Sequence, residues 1–262
     1  MKTIIIGMGN VGQHLANKFI KENISPIQCY NRSTLPDSAL RNQPWGKLLT
    51  YDWENLDGDA ELVILSVSDD VIPTISKNLP KQLKEKALVV HTSGINGRNH
   101  LCNQIKRKGI FYPLNSFTIG ASVKWCETPI FITAEDKDVR LLKRLAGKIS
   151  NSIYEVDEDQ KSILHACAVM VNNFPNALFS MAEKIMLDHR MSLNPLLPLI
   201  KTTVEKIQTD HPKNVQTGPA IRSDQKTINR HLEILKDYPE EKEIYKRITH
   251  YINPESIKHE NR

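Results

Sequence analysis

The 262-residue sequence holds only four cysteines, Cys29, Cys102, Cys126 and Cys167. None falls in a C-x-x-C pair, and their density is far below that of a disulfide-stapled scaffold, which excludes that class and points to free thiols in a reducing compartment. Nine histidines are present, yet no H-E-x-x-H or Cys/His cluster appears, so no metal site is expected. Long hydrophobic runs are missing as well. No stretch approaches the ~18 apolar residues of a membrane span, and the opening "MKTIIIGMGN" is broken by Gly7 before it could serve as a signal peptide's apolar region. Charge of one sign is not concentrated either. The formal net charge is +5, but Lys and Arg are scattered among acids apart from "KRKG" at 106–109, which is no basic stripe for nucleic acid. These absences leave a soluble, cytoplasmic globular protein with no nucleic-acid or membrane partner as the expectation.

What is present is ordinary in bulk and specific in detail. Hydrophobic residues make up 40% and charged residues 25%, enough to bury one large core or two modest ones. Short β-branched or apolar runs recur through the first part: "TIIIG" (3–7), "PIQCY" (26–30), "ELVILSV" (61–67), "ALVVHT" (87–92), "GIFYP" (109–113), "PIFITA" (129–134) and "SIYEV" (152–156). Such runs suit strands buried on both faces. Helix-period segments such as "VGQHLANKFIKEN" and "DVRLLKRLAGKI" lie between several of them. The alternation predicts a parallel sheet with crossovers.

After Val156 the pattern changes. "DEDQ" (157–160) opens a long helical segment to about Leu187, with Asp157 or Asp159 as its N-cap. Further helices are expected at about 195–210, 224–237 and 240–252, then a frayed polar tail "NPESIKHENR". The reading is α/β: a Rossmann-like parallel-sheet domain over 1–156 followed by an all-α domain over 157–262.

"IIIGMGNVGQHLA" places Gly7, Gly9 and Gly12 directly after a strand and at the mouth of a helix. Gly7 permits the tight turn, Gly9 lets backbone approach a pyrophosphate, and Gly12 lets helix and strand pack closely. The whole turn, Gly7, Met8, Gly9, Asn10, Val11 and Gly12, is therefore the candidate dinucleotide cradle. An NAD site usually carries Asp or Glu at the end of the second strand, to accept from the ribose 2′-OH. Here the chain reads Asn31, Arg32, Ser33 and Thr34, a cation plus hydroxyls suited to a 2′-phosphate, so NADP is the expected cofactor.

In an open parallel sheet, ligands sit beyond the carboxyl ends of the strands. The loops there supply Ser66, Val67 and Ser68, then His91, Thr92 and Ser93, then Tyr112, Asn115 and Ser116. Ser66, Val67, Ser68, Thr92 and Ser93 are candidates for the cofactor, and Tyr112 and Asn115 for the substrate. Ser68 and Asp69 could equally cap the next helix. His91 closes an apolar strand and is a candidate for moving protons; alternatively it bonds a neighbouring loop carbonyl.

"HACAVMVNNFPNAL" (165–178) is an apolar helical run with an imidazole and three amides. At ~100° per residue His165, Asn172 and Asn176 fall within about 20° of one direction, with Lys161 and Ser162 flanking them. This predicts a largely buried helix with one polar seam. Pro175 would kink it and free the carbonyl of Val171. Buried polar groups must be paired, and a substrate or nicotinamide, a neighbouring helix, or a second subunit would each satisfy them.

Taken together, the glycine fingerprint, "NRST" (31–34), "VHTSG" (90–94), "YPLNSF" (112–117), "LHACAVMVNNFPNAL" (164–178) and "QTGPAIRSD" (216–224) resemble an uncharacterised bacterial family of NADP oxidoreductases. Its members join a Rossmann-like domain to a helical domain of unknown function. More distantly the layout is similar to pyrroline-5-carboxylate reductase and to the 6-phosphogluconate and β-hydroxyacid dehydrogenases. The resemblance implies hydride transfer between NADP and a small carbonyl or imine, and a homodimer through the helical domain. His165, Lys161 or His91 would move the proton and Asn172 would orient the substrate. Asn176, Thr217 and Arg222 are further substrate-binding candidates; the alternative for this loop is a Gly218-Pro219 turn with Asp224 capping the next helix and Arg222 pairing with it. The lysine mechanism of β-hydroxyacid dehydrogenases does not carry over, since Val169 stands one turn after His165. Two other classes fit the same motifs: a non-enzymatic NADP-binding sensor or partner-binding protein, and a deazaflavin-linked NADP reductase.

Overall fold

The computed structural model describes residues 1–24, 27–40 and 43–256, with the side chain of residue 39 left aside. Pro26 of the second expected strand and residues 257–262 of the expected tail lie outside the described residues. Spatially the chain divides into two compact units, Met1–Asn172 and Asn173–Arg262.

The first unit is built on β1 (Thr3–Ile6), β2 (Ile27–Tyr30), β3 (Leu49–Thr50), β4 (Leu62–Leu65), β5 (Leu88–His91), β6 (Arg107–Pro113), β7 (Ile130–Thr133) and β8 (Ile153–Glu155). They form one sheet in the order β3-β2-β1-β4-β5-β6-β7-β8. Its helices are α1 (Asn10–Lys21), α2 (Asp37–Leu40), α3 (Ile72–Asn78), α4 (Lys81–Lys86), α5 (Asp136–Ala146) and α6 (Glu158–Ala168). Both faces of the central strands are buried: Ile5, Ile64 and Val90 pack into one apolar cluster with Phe19, Trp45 and Phe111. Ile4, Ile6, Val63 and Val89 pack into a second cluster with Ile72 and Leu83. Alternate residues of one strand thus face opposite layers, which is why the runs read as continuously apolar.

One pairing departs from the expected all-parallel sheet: β6 and β7 run antiparallel. Between Pro113 and Ile130 there is only the single 3₁₀ turn Trp125–Glu127. A parallel return needs a crossover element, usually a helix, and this segment provides none. β3, two residues long, is too short to leave a periodic signal.

Asp157 caps α6 as expected and does so in a reciprocal box: the Gln160 N–H donates to Asp157 Oδ1 at 2.7 Å, and the Asp157 N–H to Gln160 Oε1 at 3.1 Å. α6 groups with the first unit, beyond the last strand. The run then passes through a π-helical turn, Val169–Asn173, into α7 (Phe174–Asp188), with Pro175 in the first turn of α7. The wider turn accommodates a proline that has no N–H to donate four residues back, in place of a simple kink.

The second unit holds α7, α8 (Leu197–Thr209), α9 (Gln225–Ile234) and α10 (Pro239–Ile252). Lys184 pairs with Glu241 at 2.6 Å, and Tyr238 donates to Asp188 at 3.0 Å, tying α7 to the start of α10. Side chains of α7, α10 and the loop Thr217–Ala220 line an apolar cavity of about 320 Å³. The beginning of the expected frayed tail is ordered: Pro254–Ser256 form a 3₁₀ turn in which Ser256 is buried. Among the described residues no helix is long and apolar enough to cross a membrane, and all four cysteines are free.

Candidate functional site

The glycine turn follows β1 as the sequence predicts. Gly7 sits at φ +95°, and a side chain there would lie 2.6 Å from the Ser66 carbonyl. A side chain on Gly12 would drive into the Gly7 carbonyl and lie 2.6 Å from Ser66 Oγ. Both glycines are therefore needed for close approach. Gly9 differs: a Cβ there meets nothing within 4 Å, so the space over its backbone is open. Gly9 is also the N-cap of α1, with no capping side chain and no acid in the first turn. The open N–H groups and the positive end of the helix fit a pyrophosphate.

Two residues at the turn help to hold it. Ser66 Oγ donates to the carbonyls of Gly7 at 2.7 Å and Ile6 at 3.2 Å, clamping the end of β4 onto the turn. Met8 is buried, with its carbonyl held by Gln13 Nε2 at 2.8 Å. Asn10 is exposed and Val11 half-buried. Arg32, Ser33 and Thr34 are all exposed at the end of β2. Ser68 stands at the N-cap of a short 3₁₀ turn without a side-chain bond, so the capping alternative fails for its hydroxyl.

The loop after β5 is fastened to α6. Lys161 is fully buried, and its Nζ donates to the carbonyls of Gly94 at 2.6 Å and Ser93 at 3.3 Å. Ser162 Oγ donates to the Ile95 carbonyl at 3.3 Å. Glu158 accepts from the Arg98 N–H at 3.0 Å and from Arg98 Nε at 3.1 Å. Residues 158, 161, 162 and 165 share one helix face, and that face meets loop 93–98. Gly94 and Gly97 make this possible, for a side chain on either would overlap the His165 ring or the Glu158 carboxylate.

Two of the proton-transfer candidates are engaged within the protein. The His91 ring is fully buried and has both nitrogens engaged: Nε2 lies 3.1 Å from the Gly97 carbonyl, and Nδ1 accepts the Ser93 N–H at 3.2 Å. Burial pulls its pKa down to about 4, with the Gly97 bond opposing the shift. It is a neutral brace for the loop, the alternative its position at a strand end allowed. Lys161 also fastens this loop. Burial lowers its pKa to about 8 against the attraction of Glu158 and Asp69, and its ammonium is committed to two carbonyls. Ser93 belongs to the same brace, its Oγ accepting from Asn96. The Thr92 N–H donates to the Leu65 carbonyl.

The seam is also corrected. Val171 is 76% and Met170 61% exposed, and Asn172, Asn173 and Asn176 are exposed too. The run is an exposed helix whose buried polar contacts stop at His165. The imidazole of His165 is half-buried, and its Nδ1 lies 3.0 Å from the hydroxyl of Tyr112, which ends in the buried part of β6. Burial first, and the negative charge of Asp69 second, push the Tyr112 phenol up to about 12. It keeps its proton and can donate to Nδ1. Nε2 makes no hydrogen bond among the described residues. A pair of this kind can move a proton at Nε2 while the ring orientation is held from the other side. The pairing of Tyr112 with His165, and the seat on Gly94, are not visible in the sequence.

Of the other substrate candidates, Asn115 is exposed and donates through Nδ2 to Thr128 Oγ1 at 3.0 Å. Asn176, Thr217 and Arg222 belong to the second unit and are exposed. Asp224 caps α9, accepting from the Thr227 N–H at 3.1 Å.

Residues 1–115 match the family model of the Rossmann-like domain, and residues 128–252 that of DUF2520, a domain of unknown function. No curated protein matches the sequence. Among solved structures, the chain is similar to the putative NADP oxidoreductase from Bacteroides fragilis, at 29% identity over 97% of this chain and 98% of that one, with a TM-score of 0.84. It is similar to protein TM1727 from Thermotoga maritima at 21% identity over 97% and 98%, TM-score 0.69. It is also similar to the pyrroline carboxylate reductase of Plasmodium falciparum, solved with NADP bound, at 15% identity over 98% and 97%, TM-score 0.61. The last two likenesses show a shared fold.

Proposed function

We propose that this chain, which joins a Rossmann-like domain to a DUF2520 domain, is an NADP-dependent oxidoreductase acting on a small carbonyl or imine. The observation that carries the reading is the Tyr112–His165 pair at 3.0 Å, in the same compact unit as an open glycine turn. The likeness to the Bacteroides fragilis protein supports the class and the cofactor.

The glycine turn and the first turn of α1 would hold the pyrophosphate, and Arg32, Ser33 and Thr34 the 2′-phosphate. NADPH, when bound, supplies a hydride to the carbon of the C=O or C=N bond and leaves as NADP⁺. The chain supplies the matching proton. His165 gives it from Nε2 to the oxygen or nitrogen as the C–H bond forms, yielding the alcohol or amine. The Tyr112 hydroxyl can donate to or accept from Nδ1, so one contact serves the ring in both charge states. Asn172, exposed two turns beyond His165, is available to orient the substrate. Thr217 and Arg222 carry no part of this reading.

A homodimer through the second unit fits the exposed apolar faces of α7 and α8, neither of which contains a buried residue. The four free thiols favour a reducing compartment such as the cytoplasm.

The test is calorimetric titration with NADPH and NADH, followed by a metabolite screen for NADPH oxidation. Tighter NADPH binding that weakens in Arg32→Ala, and a turnover that His165→Ala abolishes, are the expected results. Failure to bind either dinucleotide overturns the reading. Binding without turnover, but with capture of a protein partner, would favour a sensor; electron exchange with a deazaflavin would favour a reductase of that type.

A further inference from the structure

A dinucleotide site that reads an unphosphorylated ribose carries a carboxylate at the end of the second strand. This chain carries Asn31, and its amide is bound up within the protein. Asn31 Oδ1 accepts the backbone N–H of Met8 at 3.0 Å, and Nδ2 donates to the backbone carbonyl of Ser33 at 2.7 Å. The Asn31 N–H in turn donates to the Thr50 carbonyl of β3 at 3.2 Å. Met8 lies in the glycine turn and Ser33 in the Arg32–Thr34 loop, so one short side chain joins the two segments that would hold the two phosphate groups. The loop is anchored again at Leu35, whose N–H donates to Tyr51 Oη at 3.1 Å.

The two ends of the amide do opposite chemistry. The Met8 side needs an acceptor and the Ser33 side a donor, so only one amide orientation satisfies both. A carboxylate would serve Met8 but set its second oxygen against the Ser33 carbonyl. An apolar side chain would release the Arg32–Thr34 loop, whereas the glycine turn is held as well by Gln13 and Ser66.

We infer that Asn31 is the positioning residue behind the NADP preference: it holds Arg32, Ser33 and Thr34 against the glycine turn, in the geometry that receives a 2′-phosphate. This rests on the NADP reading above. NADH carries no 2′-phosphate for that loop to receive. The clamp therefore acts on the difference between the two cofactors.

The experiment uses the full chain and calorimetry with NADPH, NADH and adenosine 2′,5′-bisphosphate, which presents the phosphorylated ribose alone. Asn31→Ala, Asn31→Asp, Arg32→Ala and the double variant Asn31→Ala/Arg32→Ala are compared, with melting temperatures as a control for folding. Asn31→Ala is expected to weaken NADPH and the bisphosphate by about tenfold and NADH by less than about twofold. In the Arg32→Ala background the same substitution is expected to change the NADPH-to-NADH ratio by less than it does in the wild type, because the cation that the clamp positions is gone. Asn31→Asp should lower the ratio at least as far as Asn31→Ala. Equal weakening of NADPH and NADH in Asn31→Ala, or independent effects of Asn31 and Arg32 that multiply in the double variant, overturns the clamp while leaving the cofactor assignment standing. A wild-type protein that binds NADH as tightly as NADPH removes the NADP reading and this proposal with it.

Discussion

The hydroxyl of Tyr112 lies 3.0 Å from Nδ1 of His165, joining the end of β6 to the third turn of α6. The two side chains are 53 positions apart in sequence, and the ring is seated against the backbone of Gly94. If this pair supplies the proton, its members differ in how much each matters. His165→Ala removes the group that carries the proton and should lower kcat by about 10²- to 10⁴-fold. Tyr112→Phe keeps the apolar body and loses only the hydroxyl, so a smaller fall of about tenfold is expected. In both variants the dissociation constant for NADPH, measured by calorimetry, should stay at the wild-type value. Equal activity in Tyr112→Phe and wild type would leave the hydroxyl a packing group.

Gly94 is the seat of that imidazole. A methyl group there overlaps the His165 ring, and the neighbouring carbonyls are pinned by Lys161. Gly94→Ala should therefore displace His165 and abolish turnover. The glycine turn at 7–12 is built from other contacts, with Ser66 and Gln13, so NADPH binding should persist. A variant that turns over normally would show that His165 need not occupy its present seat.

The strands and long helices were legible because each follows from a period. Ile4, Ile5 and Ile6 read as doubly buried, and they face two separate clusters. Asp157 was one of two residues that read as the cap of α6, and it is the cap. The direction of β7 was not legible, since it depends on what fails to form between Pro113 and Ile130. The polar groups of the site were found by type but not by their partners within the chain. His91, Ser66 and Lys161 stood at the right strand or helix ends, yet the structure turns each inward to fasten a loop. Side-chain chemistry at a strand end says that a hydrogen bond is made; only the third dimension says whether a loop carbonyl already takes it. The seam of residues 165–176 misled for another reason. Apolar periodicity marks a face that is covered by something, and within this chain most of that face is exposed.

His91 sets an acid limit on stability. Its folded-state pKa of about 4 lies below the ordinary 6.5, with burial the dominant cause. Between those values the unfolded chain binds a proton that the folded chain does not, so stability is fully present above pH 6.5 and declines as pH falls toward 4. The loss from this one group is about 3 kcal/mol at most. His91→Gln can still donate to Gly97 and accept from Ser93 without titrating. Thermal melts between pH 4 and pH 7 should show a shallower acid limb in that variant. Parallel curves for the two proteins would mean that the buried imidazole is not what the acid attacks.

On α8, Leu197, Val204 and Ile207 recur at helical spacing and are 51%, 49% and 48% exposed. On α7, Phe174 is 56% exposed and Leu178, one turn further on the same face, 38%. Water contact of this extent on two adjacent helices is unfavourable for a lone chain, at about 25 cal/mol per Å² of apolar surface. A second copy covering these faces makes stability depend on protein concentration. Sedimentation velocity should therefore find a dimer, and the melting temperature should rise with concentration. Val204→Glu with Ile207→Glu places two charges in the proposed contact and is expected to give a monomer with a lower, concentration-independent melting temperature. The glycine turn and Arg32 lie in the other compact unit, so the monomeric variant should still bind NADPH. A wild-type chain that sediments as a monomer at every concentration tested would show that these apolar faces are left open by the protein itself.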